Sequence, residues 1–65
     1  MLKIHIEKME RERNRLGLSK AEMERKAVLK PSAYSKVIVR RVTSLATLAR
    51  LADVLNMDPK DLLIS

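Results

Sequence analysis

The 65-residue chain contains no cysteine, no tryptophan and no phenylalanine, and Tyr34 is its single aromatic residue. Without cysteine, neither a disulfide nor a thiolate metal site can stabilise a domain of this size. With two prolines and one glycine, the chain also lacks the turn residues that an all-β fold of many short strands requires. We therefore expect an all-α fold with a thin core of Leu, Ile, Val, Met and Ala.

Long hydrophobic runs are missing as well. No apolar stretch approaches the roughly 18 residues of a membrane-spanning helix, and the N-terminus lacks the apolar core of a secretory signal. We expect one domain over residues 1–65, located in the cytoplasm without membrane contact. His5 is the only histidine and has no partner at ligand or catalytic spacing, so we expect no metal, no cofactor, no small-molecule ligand and no enzymatic activity.

Positive charge is concentrated in the first two thirds of the chain. Residues 1–41 contain 12 Lys and Arg against 5 Glu, a net charge of +7. Residues 42–65 contain 2 bases against 3 acids, a net charge of −1. This clustering favours a negatively charged partner, most simply nucleic acid phosphate, over the alternative of a merely solubilising surface.

The N-terminal segment changes its periodicity. Leu2, Ile4 and Ile6 alternate with polar residues as in a strand, and helical spacing then continues to Gly17. We expect a helix over about residues 5–16. The strand-like start is either a frayed lead-in or an edge strand that pairs with a partner chain.

Capping residues define the following helices. Ser19 and Glu22 predict a capping box for a helix over about 20–27, and Pro31 predicts the start of a third helix that ends near residue 39. Tyr34 and Val37 would point inward from it. Thr43 or Ser44 would cap a fourth helix and Asp58-Pro59 a fifth, whose Leu62, Leu63 and Ile64 would close over the core. The apolar stripe of the fourth helix is Leu45, Leu48, Leu51, Ala52 and Leu55.

The stretches LGLSKAEMERKAVLKPSAYSK and SLATLARLADVLNMDPKDLL resemble the lambda-repressor-like helix-turn-helix family of Cro/CI or Xre type, over about residues 6–63. The resemblance implies a compact five-helix all-α domain with its helix-turn-helix at about residues 19–39. In that family the second helix crosses the DNA backbone and the third lies in the major groove.

The resemblance also implies a set of DNA contacts. Two residues at the start of the second helix would touch phosphate or an outer base, and Lys30 would lie at the edge of the groove. Pro31, Ser32 and Lys36 hold the base-facing positions, with Ala33 and Ser35 beside them. The basic pair in the loop after the third helix matches phosphate contacts. Serine and lysine suit base edges, and alanine suits a thymine methyl group. The implied contact residues are Ser19, Lys20, Lys30, Ser32, Ala33, Ser35, Lys36, Arg40 and Arg41.

Three residues depart from the family pattern. Val28 occupies a turn position with positive φ where glycine is preferred, so either the second helix runs on or the strain is tolerated. Glu24 replaces a small residue, and Ile38 replaces a glutamate that pairs in the family with the arginine matched here by Arg13. We hypothesise that Glu24 is the substitute partner of Arg13. Ile38 fills the vacated site, or one of Ile38 and Val39 lies with Val42 on the surface, where a dimer contact would cover it.

The expected function is a sequence-specific, double-stranded DNA-binding transcriptional regulator, a repressor that acts as a homodimer. The first alternative is a helix-turn-helix fold used as a protein-interaction module or as an antagonist of another regulator. Val28, Glu24 and an exposed Ile38 or Val39 would favour that alternative, whereas the positive charge would not. The second alternative is an architectural protein that binds DNA without sequence preference.

Overall fold

The computed structural model describes residues 1–64 and is mostly helical. Its elements in chain order are β1 (Leu2–Lys3), α1 (Ile6–Arg15), α2 (Lys20–Lys26), α3 (Ala33–Arg40), β2 (Val42–Thr43), α4 (Leu45–Val54) and a 3₁₀ helix, Pro59–Leu62. The expected helical fold is confirmed in outline, but four elements are α-helices and the last one is a single 3₁₀ turn. Within the described range, no helix has the length and apolar character that crossing a membrane requires.

The predicted caps begin the helices. Ser19 Oγ accepts from Glu22 N at 3.1 Å, and Glu22 Oε1 accepts from Ser19 N at 2.9 Å, which confirms the capping box. Ser44 rather than Thr43 caps α4, and Asp58 caps the 3₁₀ helix. These caps form because each satisfies backbone N–H groups that have no partner inside the helix.

Three helices end in the same way, with one residue at positive φ followed by an apolar residue that packs on the core. The positive-φ residues are Gly17, Val28 and Asn56, with φ of 71°, 57° and 56°. The N–H groups of the following residues donate back to the last helical turn, as in a Schellman motif. These bonds are Leu18 N to Arg13 O, Leu29 N to Glu24 O and Met57 N to Ala52 O.

The strand-like start of the chain pairs within the chain itself. Leu2 lies opposite Thr43 and Lys3 opposite Val42 in the antiparallel pair of β1 and β2. On the other side of β1, Ile4 forms a bridge with Leu63. Both interpretations of this segment, a frayed lead-in and an edge strand for a partner chain, are therefore wrong.

The core collects apolar side chains from every helix. Met23, Tyr34 and Val37 are buried, as predicted from their helical faces. Two expectations fail at the ends of the pattern: Leu45 is 64% exposed and Ile64 is 49% exposed. Leu45 is the first residue of α4 and precedes the turn that packs inward, so the buried stripe comprises only Leu48, Leu51, Ala52 and Leu55.

The start of α3 differs from the prediction. The helix begins at Ala33, because Pro31 and Ser32 form a turn in which Ala33 N donates to Lys30 O at 3.0 Å. Ser32 has φ 70° and ψ −1°, the conformation of the third residue of a type II turn. Proline is favoured at the second residue of a type II turn, which is the position of Pro31. Pro31 therefore belongs to the turn before α3 and does not begin the helix.

Candidate nucleic-acid interface

One side of α3 and of the turn before it faces solvent. The exposed residues there are Ser32, Ser35, Lys36, Val39 and Arg40. Their positions follow the pattern i, i+3, i+4, i+7 and i+8, which places them on one side of a helix. The same five residues line one shallow surface depression. We call them the α3 outer face.

The opposite side of α3 is fixed by Tyr34, which is fully buried. Its backbone N–H donates to Glu24 Oε2 at 3.0 Å, and its hydroxyl donates to Glu10 Oε2 at 2.7 Å. Tyr34 is thus held by a carboxylate from α2 and a carboxylate from α1. These two bonds connect α3 to both preceding helices and fix the direction in which the outer face points.

Glu24 provides the N-terminal cap that α3 lacks. Ser32, in its left-handed conformation, forms no side-chain cap hydrogen bond. The Glu24 carboxylate instead accepts from an N–H of the first turn of α3, where a negative charge is also favoured by the helix dipole. The replacement of a small residue by Glu24 therefore has a structural function.

Arg13 is paired within its own helix, so the predicted ion pair with Glu24 is wrong. Its Nε donates to Glu10 Oε2 at 2.6 Å, and its Nη1 donates to Leu18 O at 2.6 Å. Glu24 is engaged by the start of α3, whereas Glu10 lies one turn before Arg13 and reaches it directly. The guanidinium carbon also lies 6.0 Å from the centre of the Tyr34 ring, at the outer limit of a cation–π contact.

In the Glu10–Tyr34 hydrogen bond, Glu10 is ionised and Tyr34 is protonated at neutral pH. Burial is the largest single influence on Glu10 and raises its pKa, but the hydrogen bonds from Arg13 and Tyr34 outweigh it and leave the pKa below its ordinary value. Burial, together with the bond to Glu10, raises the pKa of Tyr34 well above its ordinary value. The carboxylate is thus the acceptor and the phenol the donor.

The sequence left two outcomes open at Val28: a longer second helix, or a strained residue at positive φ. The structure shows the strained residue. Helix α2 ends at Lys26, and Val28 tolerates φ 57° while its side chain remains 78% exposed. A β-branched residue in this conformation costs about 1–2 kcal/mol. The half-buried Leu29 after it packs on the core, which holds the turn in place.

Four of the five predicted basic contacts are free of acidic partners. Lys20, Lys30, Lys36 and Arg40 are exposed, and none forms an ion pair with a carboxylate of residues 1–64. The sequence of α3 contains no acidic residue. The electrostatic field around the α3 outer face is therefore positive and unneutralised by neighbouring groups.

Arg41 differs from these cations. Its Nη2 donates to both carboxylate oxygens of Glu7, at 2.8 and 3.0 Å, and this bond lowers the pKa of Glu7. Arg41 also ends α3 with φ 62°, and its carbonyl accepts from Ile4 N beside the sheet. Arg40 is the last residue of α3, so the basic pair does not lie in a loop as predicted.

The remaining predicted contacts lie at the two helix starts. Ser19 and Lys20 are exposed at the beginning of α2, where the Ser19 oxygen already accepts the capping hydrogen bond. Pro31 is exposed in the turn, whereas Ala33 is half-buried. The Ser19 hydroxyl therefore keeps its proton and one lone pair for a ligand, and Ala33 presents only part of its methyl group.

Sequence reasoning does not include Val39 among the contacts, although Val39 is 80% exposed on the α3 outer face. The signal is its spacing, because Val39 follows Ser32 by seven residues, or two helical turns. Ile38, in contrast, is half-buried and packs against the core. Of Ile38 and Val39, only Val39 is therefore exposed and available to a partner.

His5 has a local structural function. Its Nδ1 accepts from Lys8 N at 3.2 Å and caps α1. The lone pair of His5 Nδ1 is used in this hydrogen bond, so the only histidine of the chain stabilises the first turn of α1.

Searches of curated proteins and of solved structures gave no significant match. A comparison with protein families gave one match, to the family described as helix-turn-helix, over residues 9–62. The match runs from the fourth residue of α1 to the end of the 3₁₀ helix, including α2, the turn at Val28 and α3. The family is one of DNA-binding regulators, in agreement with the unpaired cations around α3. By this match, the chain belongs to the Cro/CI-type, Xre-like helix-turn-helix family.

Proposed function

We propose that this protein is a sequence-specific regulator that binds double-stranded DNA with the α3 outer face and represses transcription as a homodimer. The observation that carries the proposal is the combination of an exposed polar helix face with unpaired cations on a helix whose other side is fixed by Tyr34. A rigid helix of this kind fits the major groove, about 12 Å wide.

Each part of the face has a function in this proposal. Ser32, Ser35 and Lys36 contact base edges, because hydroxyl groups donate or accept and a lysine can reach guanine O6 and N7. Lys20, at the start of α2, contacts phosphate. The remaining proposed contacts are Ser19, Lys30, Ala33, Arg40 and Arg41, of which Arg41 must first exchange Glu7 for a phosphate.

We propose a homodimer because a single helix-turn-helix unit makes few DNA contacts and two units bound together make more. Two copies would bind half-sites about one helical turn apart and double the number of contacts. Exposed apolar side chains support an association between copies. Met1 is 83% exposed and lines a shallow depression with Val42 and Thr47, and Leu45 lies exposed just after β2.

Fluorescence anisotropy with random and selected duplexes, over a range of salt concentrations, tests the proposal. We expect tight binding to the selected duplex and a steep loss of affinity with salt, since each phosphate contact contributes about −0.9 to the slope of log K against log salt. Lys36→Ala should weaken binding to the selected duplex by roughly 10-fold, within the discrimination of one base contact. Lys60→Ala is the matched control, because Lys60 is also exposed but lies in the 3₁₀ helix.

Some results of these anisotropy measurements would contradict the proposal. Affinity no better than micromolar at low salt would exclude a DNA-binding regulator. A steep salt dependence without preference for any selected sequence would indicate an architectural protein. Sedimentation equilibrium with and without the selected duplex tests the homodimer, and a single copy bound to a selected site would exclude it.

The alternative of a protein-interaction module is supported by the exposure of Val28 and Val39. Two other residues that would favour it have functions inside the fold, because Glu24 caps α3 and Ile38 packs against the core. The unpaired cations also favour DNA over an apolar protein surface. Failure to bind any duplex would make the module the better explanation.

A further inference from the structure

We propose that Val39 determines sequence specificity by contacting the C5-methyl group of a thymine in the major groove. This inference rests on the proposed function and adds a contact that the family match does not assign. It makes the protein sensitive to one methyl group at a defined position of each half-site.

The position of Val39 is the first support. Its side chain is 80% exposed, and it lines the same shallow depression as Ser32, Ser35, Lys36 and Arg40. Two helical turns separate it from Ser32, so both residues point to the same side of α3. Whatever molecule covers the α3 outer face also covers Val39.

Valine at this position does not serve the fold. Its helix propensity is below that of most residues because its side chain is restricted in a helix, and the exposed side chain gains little from burial. A polar or straight-chain residue would serve a solvated face better. An apolar contact with a partner gives the valine a function.

Charge decides between DNA and a second copy of the chain. Lys36 lies one turn before Val39, Arg40 directly follows it, and α3 contains no acidic residue. A two-fold contact between α3 outer faces would bring these like charges of two copies together, which is unfavourable. The major groove instead offers phosphates to the cations, and thymine is the base that presents a methyl group on its floor.

The test uses uracil in place of thymine, which removes only the methyl group. A duplex is first selected from a random library with the unaltered protein. Versions of this duplex are then prepared in which deoxyuridine replaces one symmetric pair of thymines at a time. Affinities for the unaltered protein, Val39→Ser and the control Ile64→Ser are measured by anisotropy at fixed salt. Circular dichroism confirms that each variant is folded.

At one thymine pair, we expect the unaltered protein to lose about 16-fold in affinity, or about fourfold per half-site, the worth of one buried methyl group. Val39→Ser should lose less than about twofold at the same pair, because its contact with the methyl group is already absent. Ile64→Ser should keep the full loss, since Ile64 is an exposed apolar residue outside the α3 outer face.

Three results would overturn the inference. Uracil could have no effect at any position, or an equal effect on the unaltered protein and on Val39→Ser. Val39→Ser could also change the association of the free protein in sedimentation equilibrium while leaving the methyl effect intact, which would assign Val39 to a protein contact. In each case the unaltered protein still binds its selected duplex. Absence of that binding would instead refute the proposed function.

Discussion

Replacing Val28 by glycine should stabilise the protein. Val28 is a β-branched residue at φ 57°, and its side chain is 78% exposed, so the fold contains backbone strain with little compensating burial. Glycine adopts this conformation without strain. The substitution keeps the Schellman hydrogen bonds of Val28 N and Leu29 N, because both involve only the backbone.

The expected gain is a balance of three effects. Relief of the strain contributes about 2 kcal/mol, at the upper end for a β-branched residue. The greater freedom of glycine in the unfolded chain opposes this by roughly 0.5–1 kcal/mol. Loss of the small buried part of the valine opposes it by about 0.4 kcal/mol. The free energy of unfolding should therefore rise by about 0.5–1 kcal/mol.

Thermal and urea unfolding measure this gain. For a domain of this size, Tm should rise by about 3–6 °C, and the urea m value should not change. Gly17→Val is the reciprocal control. Gly17 holds the same position at the end of α1 with φ 71°, and a Cβ built on it meets no atom within 4 Å. Its replacement should lower the stability by about 1–1.5 kcal/mol, because the strain of about 2 kcal/mol is partly offset by the lost freedom of glycine in the unfolded chain.

The pair of variants separates strain from packing. A Val28→Gly protein with unchanged or lower Tm, beside a destabilised Gly17→Val, would refute the reasoning. It would mean that contacts of the Val28 side chain compensate the backbone strain.

Two further predictions concern the carboxylates that hold Tyr34. Glu24→Ala should lower the unfolding free energy by about 1 kcal/mol, because the first turn of α3 loses its cap; an unchanged Tm would contradict this assignment. Glu10 has a folded-state pKa below its unfolded value, so its contribution is complete above about pH 4.5 and is lost as the pH falls through the folded pKa. The Tm difference between the unaltered protein and Glu10→Gln should accordingly shrink on acidification, and a difference that is constant from pH 6 to pH 3 would exclude the charged form as its source.

The sequence determined what depends on neighbouring residues. The caps at Ser19, Ser44 and Asp58 involve groups two or three positions away, so their spacing alone predicts them. The burial of Tyr34 and Val37 follows equally from the helical period. Most residues of the α3 outer face lie on the side of the helix opposite Tyr34 and Val37. Its polar residues can therefore be named from the helical period without a structure.

Tertiary structure decided the partners of charged and strained groups. The sequence suggested Glu24 as the partner of Arg13. In the structure Arg13 binds Glu10, because Glu24 caps the start of α3 instead. The pairing of Leu2–Lys3 with Val42–Thr43, about 40 positions later, likewise depends on how the helices between them pack. The positive φ of Val28 was decided by the packing of the residue after it. These outcomes depend on which unsatisfied group lies nearest in space, and local periodicity carries no information about that.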